Sequence, residues 1–334
     1  MVKLVIQIPC FNEEETLPLV LKELPKKIEG VAEVEWQIID DGSTDNTVEV
    51  AREYGCHVVS YVGNKGLGNA FKAGISEALS RGADIVVNTD GDNQYPSAYI
   101  KDLVKPILDG RADIVIGDRQ TKKVEHFSPL KKFLQWFGSL TVRRLSGTDV
   151  ADTVSGFRAY SKEALMQLNV VSKFSYCLDT IVQAGKKNLT VVDIKMSTNA
   201  PTRKSRLFKN MFQHIKKSGM NLIQVYVMYE PFKTFFYLSL PFLFIGLVLF
   251  FRYAYYFVIG EGGGHIQSLV IGTVFFITGV ISVFMGIISH LLAINRRLLE
   301  ENLYLEKVQV YGKFDKIRPN NRLVGKHSTK KKRK

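Results

Sequence analysis

Two long apolar segments near the carboxyl end limit the folds that are open to this chain. The first covers residues 235–260 and contains one charged residue, Arg252, near its far end; the second covers residues 266–295 and contains no Asp, Glu, Lys or Arg. Each exceeds the roughly 20 residues that cross the hydrocarbon core of a bilayer. A helix buried in a soluble protein is the alternative, but two adjacent segments favour a membrane hairpin, with helices at about 235–259 and 266–294.

The charges beside this hairpin predict its orientation. The connecting residues 261–265 contain no Lys or Arg, whereas Lys233, Arg296 and Arg297 flank the other ends of the two segments. Because positive residues concentrate on the cytoplasmic side, we expect an integral membrane protein whose amino-terminal domain and both termini are cytoplasmic. The opening MVKLVIQIPCFNEEE becomes acidic too soon for a signal peptide, and the 3 scattered cysteines fit a reducing compartment.

The residues before the hairpin alternate between strand-like and helix-like patterns. Apolar runs predict strands at 3–9, 35–40, 57–62, 84–89 and 113–118. Amphipathic stretches such as 17–28 and 68–82 separate them. This alternation, with strands that are apolar on both faces, predicts an α/β domain over residues 1–200 whose mostly parallel sheet is covered by helices on both sides.

Basic amphipathic stretches complete the predicted organisation. Residues 127–147 and 206–226 both have apolar residues at helical spacing with Lys and Arg between them. The second predicts a helix in the membrane interface, within a juxtamembrane segment at 201–231, although an ordinary core-facing helix stays open for both. The hairpin domain is expected at 232–297. A basic tail is expected at 298–334, where LYLEKVQVYGKF could add a strand to a neighbour.

The net charge of +13 indicates anionic partners. Since the basic residues cluster beside apolar stretches, we expect these partners to be membrane lipids and nucleotides, and we expect no nucleic acid. A homo-oligomer is left open.

Polar residues follow each of the five predicted strands, in the stretches PCFNEEE, DDGSTD, GNKGLGNA, TDGDNQ and GDRQ. Ligands of open parallel sheets bind outside the carboxyl ends of the strands, so these stretches should share one edge. Asp90, Asp92 and Gln94 offer the hard oxygen ligands that suit Mg²⁺ or Mn²⁺. Such an ion would offset the repulsion between the two carboxylates and carry a diphosphate. The glycine-rich stretch is neither a Rossmann fingerprint nor a P-loop.

Together with SGFRAYS, these stretches resemble glycosyltransferase family 2, which has the GT-A fold, across about the first 200 residues. The two carboxyl-terminal apolar segments are similar to those of the branch that transfers a sugar from a nucleotide to a polyprenyl phosphate. The resemblance implies a nucleotide-sugar donor, a polyprenyl phosphate acceptor, Mg²⁺ or Mn²⁺, and the plasma membrane of a prokaryote. The sequence lacks the Q-x-x-R-W motif of processive synthases.

The resemblance also implies roles for individual residues. The residues implied to bind the nucleotide sugar are Pro9, Phe11, Glu13, Asp41, Lys65, Asp90 and Ser155. The implied metal ligands are Asp90, Asp92 and Gln94. The residues implied to serve the reaction are Asp92, Arg119, Asp152 and Arg158, with Arg119 near the lipid phosphate. Further candidate cations for that phosphate are Lys131, Lys132, Arg203 and Arg206. Whether Asp152 is a base, a positioning group, a metal ligand or a partner of Arg158 stays open.

The expected reaction is an inverting displacement at the anomeric carbon of the sugar. A phosphate monoester has a second pKa of about 6, so the lipid phosphate is already ionised and needs no general base.

UDP-glucose or UDP-N-acetylglucosamine is favoured over GDP-mannose as donor. One alternative is a membrane-anchored glycosyltransferase with a lipid or glycan hydroxyl acceptor, which would need a base. A second is a non-catalytic scaffold with a decayed transferase domain.

Overall fold

The computed structural model describes residues 1–120, 129–172, 176–199, 219–220 and 223–312, without the side chains of residues 129–137. Most of the helix predicted at 206–226 lies outside these residues. The helix predicted at 127–147 is present over Pro129–Ser146. The last part of the predicted tail, from residue 313 onward, also lies outside the described residues.

Seven strands form the central sheet. They are β1 (Lys3–Cys10), β2 (Glu33–Asp40), β3 (His57–Ser60), β4 (Ile85–Asn88), β5 (Ile114–Asp118), β6 (Arg158–Ser161) and β7 (Val191–Lys195). Their spatial order is β3-β2-β1-β4-β6-β5-β7, and β6 runs antiparallel to both of its neighbours. The first five strands confirm the predicted runs and the mostly parallel sheet. Strands β6 and β7 were not predicted, because both are short and contain a charged residue.

Helices cover both faces of the sheet. They are α1 (Leu17–Glu23), α2 (Thr47–Glu53), α3 (Leu67–Ser80), α4 (Ile100–Leu108), α5 (Pro129–Ser146), α6 (Lys162–Gln167) and α7 (Tyr176–Lys186). One apolar cluster lies under α3, α5, α6 and α7, and a second lies under α1, α2 and α4. Successive residues of β1 alternate between the two clusters, as a sheet buried on both faces requires.

Two further helices, α8 (Pro231–Val258) and α9 (Ile266–Tyr311), form the predicted hairpin. Both are long and apolar enough to cross a membrane, and only 11% and 17% of their most apolar stretches are buried. Helices in the core of a soluble protein would be mostly buried, so the described residues disfavour that alternative. The exposed apolar surface of the hairpin fits a lipid environment.

Helix α9 continues past the predicted span and packs on the α/β domain. The Tyr304 hydroxyl donates to the Glu163 carboxylate (2.8 Å), and the Lys307 ammonium donates to the Leu168 carbonyl (2.9 Å). Tyr304 and Val308 also contact the apolar cluster under α3 and α7. The suggestion of an added strand in LYLEKVQVYGKF is wrong for residues 303–311, because the helix of the hairpin propagates through them.

Glycines let the two hairpin helices approach closely. Gly272, Gly279 and Gly286 recur every seven residues on α9, and all three are buried. A Cβ atom added at Gly279 would lie 2.6 Å from Leu243 Cγ and 3.0 Å from the Leu243 backbone nitrogen on α8. Small residues of this kind are typical of packed membrane helices, where close backbone contact supplies the stabilising dispersion energy.

We expect Gly279→Ala to destabilise the hairpin by about 1–3 kcal/mol, because the backbone of Leu243 cannot move aside as a flexible side chain would. Gly263→Ala, in the connecting turn, is the matched control, since nothing lies within 4 Å of a Cβ atom there. Thermal unfolding of the full chain in detergent should show a lower Tm for Gly279→Ala alone. Equal Tm values for the two variants would contradict this packing.

Candidate active site at the carboxyl edge of the sheet

The loops after β1 and β2 meet at one edge of the sheet. In the parallel register, Cys10 pairs with Asp40. Beyond the strands, the Asn12 amide donates to Ser43 Oγ (2.9 Å), and the Glu13 amide donates to Thr47 Oγ1 (2.8 Å). The stretches PCFNEEE and DDGSTD are therefore joined directly, as the strand-end argument predicted.

Asp41 anchors the glycine-rich loop that follows β3. Its buried carboxylate accepts hydrogen bonds from the backbone amides of Lys65 (2.7 Å) and Gly66 (2.9 Å). The side chain of Lys65 is exposed, and its ammonium lies 4.4 Å from the centroid of the Tyr61 ring. Asp41 and Lys65, both predicted to bind the nucleotide, thus lie next to each other at this edge.

The acidic turn after β4 packs against the first loop through Gly91. A Cβ atom at Gly91 would lie 3.2 Å from Cys10 Sγ and 3.4 Å from Glu13 Cγ, so an added methyl group would require these side chains to shift by a few tenths of an ångström. Glu13 is buried and accepts a hydrogen bond from Thr16 Oγ1 (2.6 Å). Phe11 is 37% exposed, which leaves its ring at the surface of the same edge. Pro9, the remaining predicted residue of this segment, lies within β1.

The turn carrying Asp90, Asp92 and Gln94 is held in a defined shape. All three residues are half-buried, and the Gln94 amide donates to Asp92 Oδ1 (3.2 Å). Asn93 between them has a left-handed backbone, with φ of 57°. From the far end of the domain, Asn199 donates its backbone amide to the Gln94 carbonyl (3.0 Å) and its side-chain amide to the Asn93 carbonyl (2.9 Å).

The donor set of this turn fits Mg²⁺ or Mn²⁺. Two half-buried carboxylates and one amide oxygen, close in sequence on a constrained turn, match ions that are bound through one or two carboxylates plus substrate phosphates. Among the residues that the structure describes, no group of three or more His, Cys, Asp or Glu side chains could hold an ion by itself. The ion would therefore need oxygens from a diphosphate and water to complete its coordination.

A buried hydrogen-bond network places Gly156 against Asp90. The side-chain amide of Asn88 donates to Tyr176 Oη (2.7 Å) and to the Gly156 carbonyl (3.1 Å), and Tyr176 Oη also donates to that carbonyl (3.1 Å). A Cβ atom at Gly156 would lie 3.2 Å from Asp90 Oδ1. Glycine is thus the residue that lets this segment approach the carboxylate closely.

Arg119 and Asp152 form a bidentate ion pair beside this turn. Arg119 Nε donates to Asp152 Oδ2 (2.7 Å), and Nη2 donates to Oδ1 (3.0 Å). The Asp152 side chain is 2% exposed, and that of Arg119 is 18% exposed. Burial alone would raise the pKa of Asp152, but the charge and hydrogen bonds of Arg119 outweigh it and hold that pKa below its ordinary value. Asp152 is therefore ionised, and both of its carboxylate oxygens accept hydrogen bonds from Arg119.

Arg158 and Ser155 lie in the interior behind this pair. The Arg158 guanidinium donates to the carbonyls of Ser155 (2.7 Å), Thr153 (3.0 Å) and Cys177 (2.9 Å), and the residue is fully buried. Ser155 is also fully buried. The structure thus does not bring these two side chains to the surface of the site, although both were predicted there. In the described contacts, Arg158 fixes the backbone of residues 153–155, and the partner of Asp152 is Arg119.

Several residues that shape the site were not singled out from the sequence. They are Asn88, Tyr95, Tyr176 and Asn199. Asn88 could have been recognised from the sequence, because it is a polar residue at the end of an otherwise apolar strand. Tyr95 stacks on Phe157 with ring centroids 5.2 Å apart, and its hydroxyl accepts a hydrogen bond from the Gly156 amide (3.3 Å). Tyr95, Tyr176 and Asn199 had no local signal, since their partners lie far away in the sequence.

We expect Arg119→Gln to cost about 3–5 kcal/mol of stability at neutral pH, because it leaves the buried Asp152 carboxylate without its cation. In the native chain the depressed pKa of Asp152 makes its contribution constant above about pH 4, and that contribution is lost only as pH falls through the folded-state pKa. Without Arg119, burial raises the pKa of Asp152, so the variant should lose stability as pH rises from about 5 to about 8.

Thermal unfolding at both pH values measures this difference. Arg111→Gln is the control, since its pair with Asp109 (2.6 Å) is exposed and such pairs contribute about 0–1 kcal/mol. A loss for Arg119→Gln that is as small and as independent of pH as that of the control would contradict the assignment.

Comparison with known proteins supplies the context for this edge. The model of the family described as glycosyl transferase family 2 matches residues 5–168. The dolichyl-phosphate hexose transferase of Haloferax volcanii is 30% identical over 195 residues, which cover 57% of this chain and 80% of that protein. The undecaprenyl-phosphate mannosyltransferase of Micrococcus luteus is 29% identical over 201 residues, which cover 57% of this chain and 81% of that protein.

A solved structure supports the fold independently. Glucosyl-3-phosphoglycerate synthase from Mycobacterium tuberculosis, in complex with Mn²⁺, UDP-glucose and phosphoglyceric acid, superimposes with a TM-score of 0.53 at 20% identity, over 68% of this chain and 79% of that one. This likeness bears on the GT-A fold alone. The sheet order and the motifs at its carboxyl edge agree with the family match. So does the relative that is 30% identical, since the matched residues cover 80% of that protein. The chain belongs to glycosyltransferase family 2.

Proposed function

We propose that this glycosyltransferase moves a sugar from a nucleotide sugar to a polyprenyl phosphate in the membrane, with inversion at the anomeric carbon. An oxygen of the lipid phosphate attacks the anomeric carbon, the bond from that carbon to the β-phosphate oxygen breaks, and the nucleoside diphosphate leaves. The product is a lipid-linked sugar for glycan or glycoprotein assembly. The names of the Haloferax and Micrococcus relatives, both of which are polyprenyl-phosphate sugar transferases, support this proposal.

The proposal depends most on one observation, the ion pair that occupies the Asp152 carboxylate. A hydroxyl acceptor needs a general base with an available carboxylate and a pKa near the working pH. Asp152, the carboxylate considered for that role, has both oxygens bound by Arg119 and a depressed pKa. A phosphate acceptor arrives ionised and needs no base. The described geometry around Asp152 therefore favours a phosphate acceptor.

On the donor side, we assign Asp90, Asp92 and Gln94 to the metal and diphosphate. An Mg²⁺ or Mn²⁺ ion bound there would stabilise the charge that develops on the leaving diphosphate. The residues assigned to the base and ribose line the neighbouring loops; they are Pro9, Phe11, Glu13, Asp41 and Lys65. Gly156 leaves room for the Asp90 carboxylate, while Arg158 holds the backbone of that segment through the carbonyls of Thr153 and Ser155.

On the acceptor side, we assign Arg119 as the cation that meets the lipid phosphate. Its guanidinium would orient the lipid phosphate while Nε and Nη2 remain bound to Asp152. The other candidate cations are Lys131, Lys132, Arg203 and Arg206, of which the first two have side chains outside the described residues and the last two lie wholly outside them. The hairpin would hold the domain at the membrane with the site on the cytoplasmic side, in the plasma membrane of a prokaryote.

For the donor we propose UDP-glucose or UDP-N-acetylglucosamine ahead of GDP-mannose. The test incubates membranes that contain the full chain with each radiolabelled nucleotide sugar and added polyprenyl phosphate. We expect label in the organic phase with one donor, in a form that mild acid releases, because a glycosyl phosphate is acid-labile. Organic-phase label that resists mild acid would support the hydroxyl-acceptor alternative. No organic-phase label with any donor would overturn the proposal and leave the scaffold alternative.

We expect Asp92→Asn to lower turnover at least about 100-fold, because it removes a charge that binds the divalent ion. The same variant should weaken Mn²⁺-dependent binding of the nucleoside diphosphate in calorimetry, which does not depend on turnover. Asp102→Asn is the matched control, since Asp102 is an exposed residue in the first turn of α4. Retained turnover in Asp92→Asn would contradict the metal assignment.

A further inference from the structure

A small pocket lies between the ends of the two hairpin helices that face the α/β domain. Its volume is about 170 Å³, and its walls include Pro231, Phe232, Lys233, His290, Ile294 and Arg297. Pockets for drug-sized ligands measure roughly 300–1,000 Å³, so this one suits a headgroup-sized ligand. None of these residues takes part in the proposed transfer reaction.

The described charges around this pocket are positive in sum. Lys233 is 59% exposed and lies 3.2 Å from Glu230, and Glu230 also pairs with Lys186 at 2.6 Å. One carboxylate is thus shared by two ammonium groups, while the exposed Arg297 adds a further cation to the wall. A small anion would complement this surplus of positive charge.

The surface beyond the pocket is apolar and exposed. On α8, Phe236 and Leu240 are 40% and 43% exposed, and on α9, Ile287 is 44% exposed. The pocket therefore lies where the apolar surface of the hairpin gives way to charged residues, which is the headgroup depth of a bilayer. A ligand with an anionic head and apolar chains matches both parts of this surface.

We propose that this pocket binds the phosphate of an anionic membrane phospholipid, whose acyl chains lie along the exposed faces of α8 and α9. Lys233 and Arg297 contact the phosphate, and the aromatic and aliphatic side chains of the pocket contact the glycerol region. The cytoplasmic leaflet is rich in anionic lipids, which attract basic groups next to the membrane. The inference depends on insertion of the hairpin and does not depend on which sugar or acceptor the enzyme uses.

The test reconstitutes the full chain in nanodiscs that contain phosphatidylcholine and phosphatidylglycerol. Native mass spectrometry then measures the ratio of the two lipids retained. A basic residue near the surface changes the binding of an anionic lipid by about fivefold, so the double variant Lys233→Gln/Arg297→Gln, which removes two, should reduce phosphatidylglycerol retention by about 25-fold. Arg297→Lys keeps the charge and should retain the lipid.

Arg111→Gln is the matched control, because Arg111 is an exposed arginine of the α/β domain that pairs with Asp109 and does not belong to the hairpin. It should leave the ratio unchanged. Gel filtration checks that every variant is folded, and alkaline extraction checks that the hairpin is inserted, which separates a failure of this proposal from a failure of the proposed function. Equal phosphatidylglycerol retention in the double variant and the control would overturn the proposal. Stoichiometric displacement of phosphatidylglycerol by added polyprenyl phosphate would also overturn it, since the occupant would then be the acceptor.

Discussion

The site depends on holding two like charges together at the end of a buried strand. Asp90 and Asp92 are separated by one glycine, and their mutual repulsion opposes the turn that carries them. The turn persists because three distant segments contact it: the first loop packs on Gly91, Gly156 packs on Asp90, and Asn199 binds two carbonyls of the turn. These contacts organise the carboxylates in the absence of a cation, which would reduce the conformational entropy that the proposed metal binding must overcome.

Two arginines, one half-buried and one fully buried, hold the backbone and side chains of this edge in place. Arg119 holds Asp152 in a planar fork, and Arg158 holds the carbonyls of the segment that follows. Arginine suits both places, since its guanidinium keeps its charge when buried and presents donors in a fixed geometry. The two arginines differ in their exposure to the site. Arg119 is partly open to the site, whereas Arg158 is enclosed, so Arg119 can act on a ligand and Arg158 acts through the backbone.

Helix α9 joins the catalytic domain to the hairpin as one continuous element. It is 46 residues long, or about 69 Å at the rise of an α-helix, and it therefore extends well beyond the roughly 20 residues of a membrane span. The contacts of Tyr304 and Lys307 with α6 and the loop after it brace the domain against this helix. Such contacts restrict how the domain can turn relative to the hairpin, which suits the membrane-bound acceptor that we propose.

The sequence by itself determined the first five strands, the hairpin and the clustering of polar stretches at one edge, because apolar periodicity and strand-end chemistry are local signals. It also singled out Asp90 and Asp92 through their spacing at the end of a strand, and the family resemblance added Gln94. Only the tertiary structure decided that Asp152 pairs with Arg119, that Arg158 and Ser155 are enclosed, and that Tyr176 and Asn199 shape the site. The contacts of Tyr176, Arg119 and Asn199 join residues 20, 33 and 106 positions apart in sequence, and such contacts are fixed by packing and leave no local pattern.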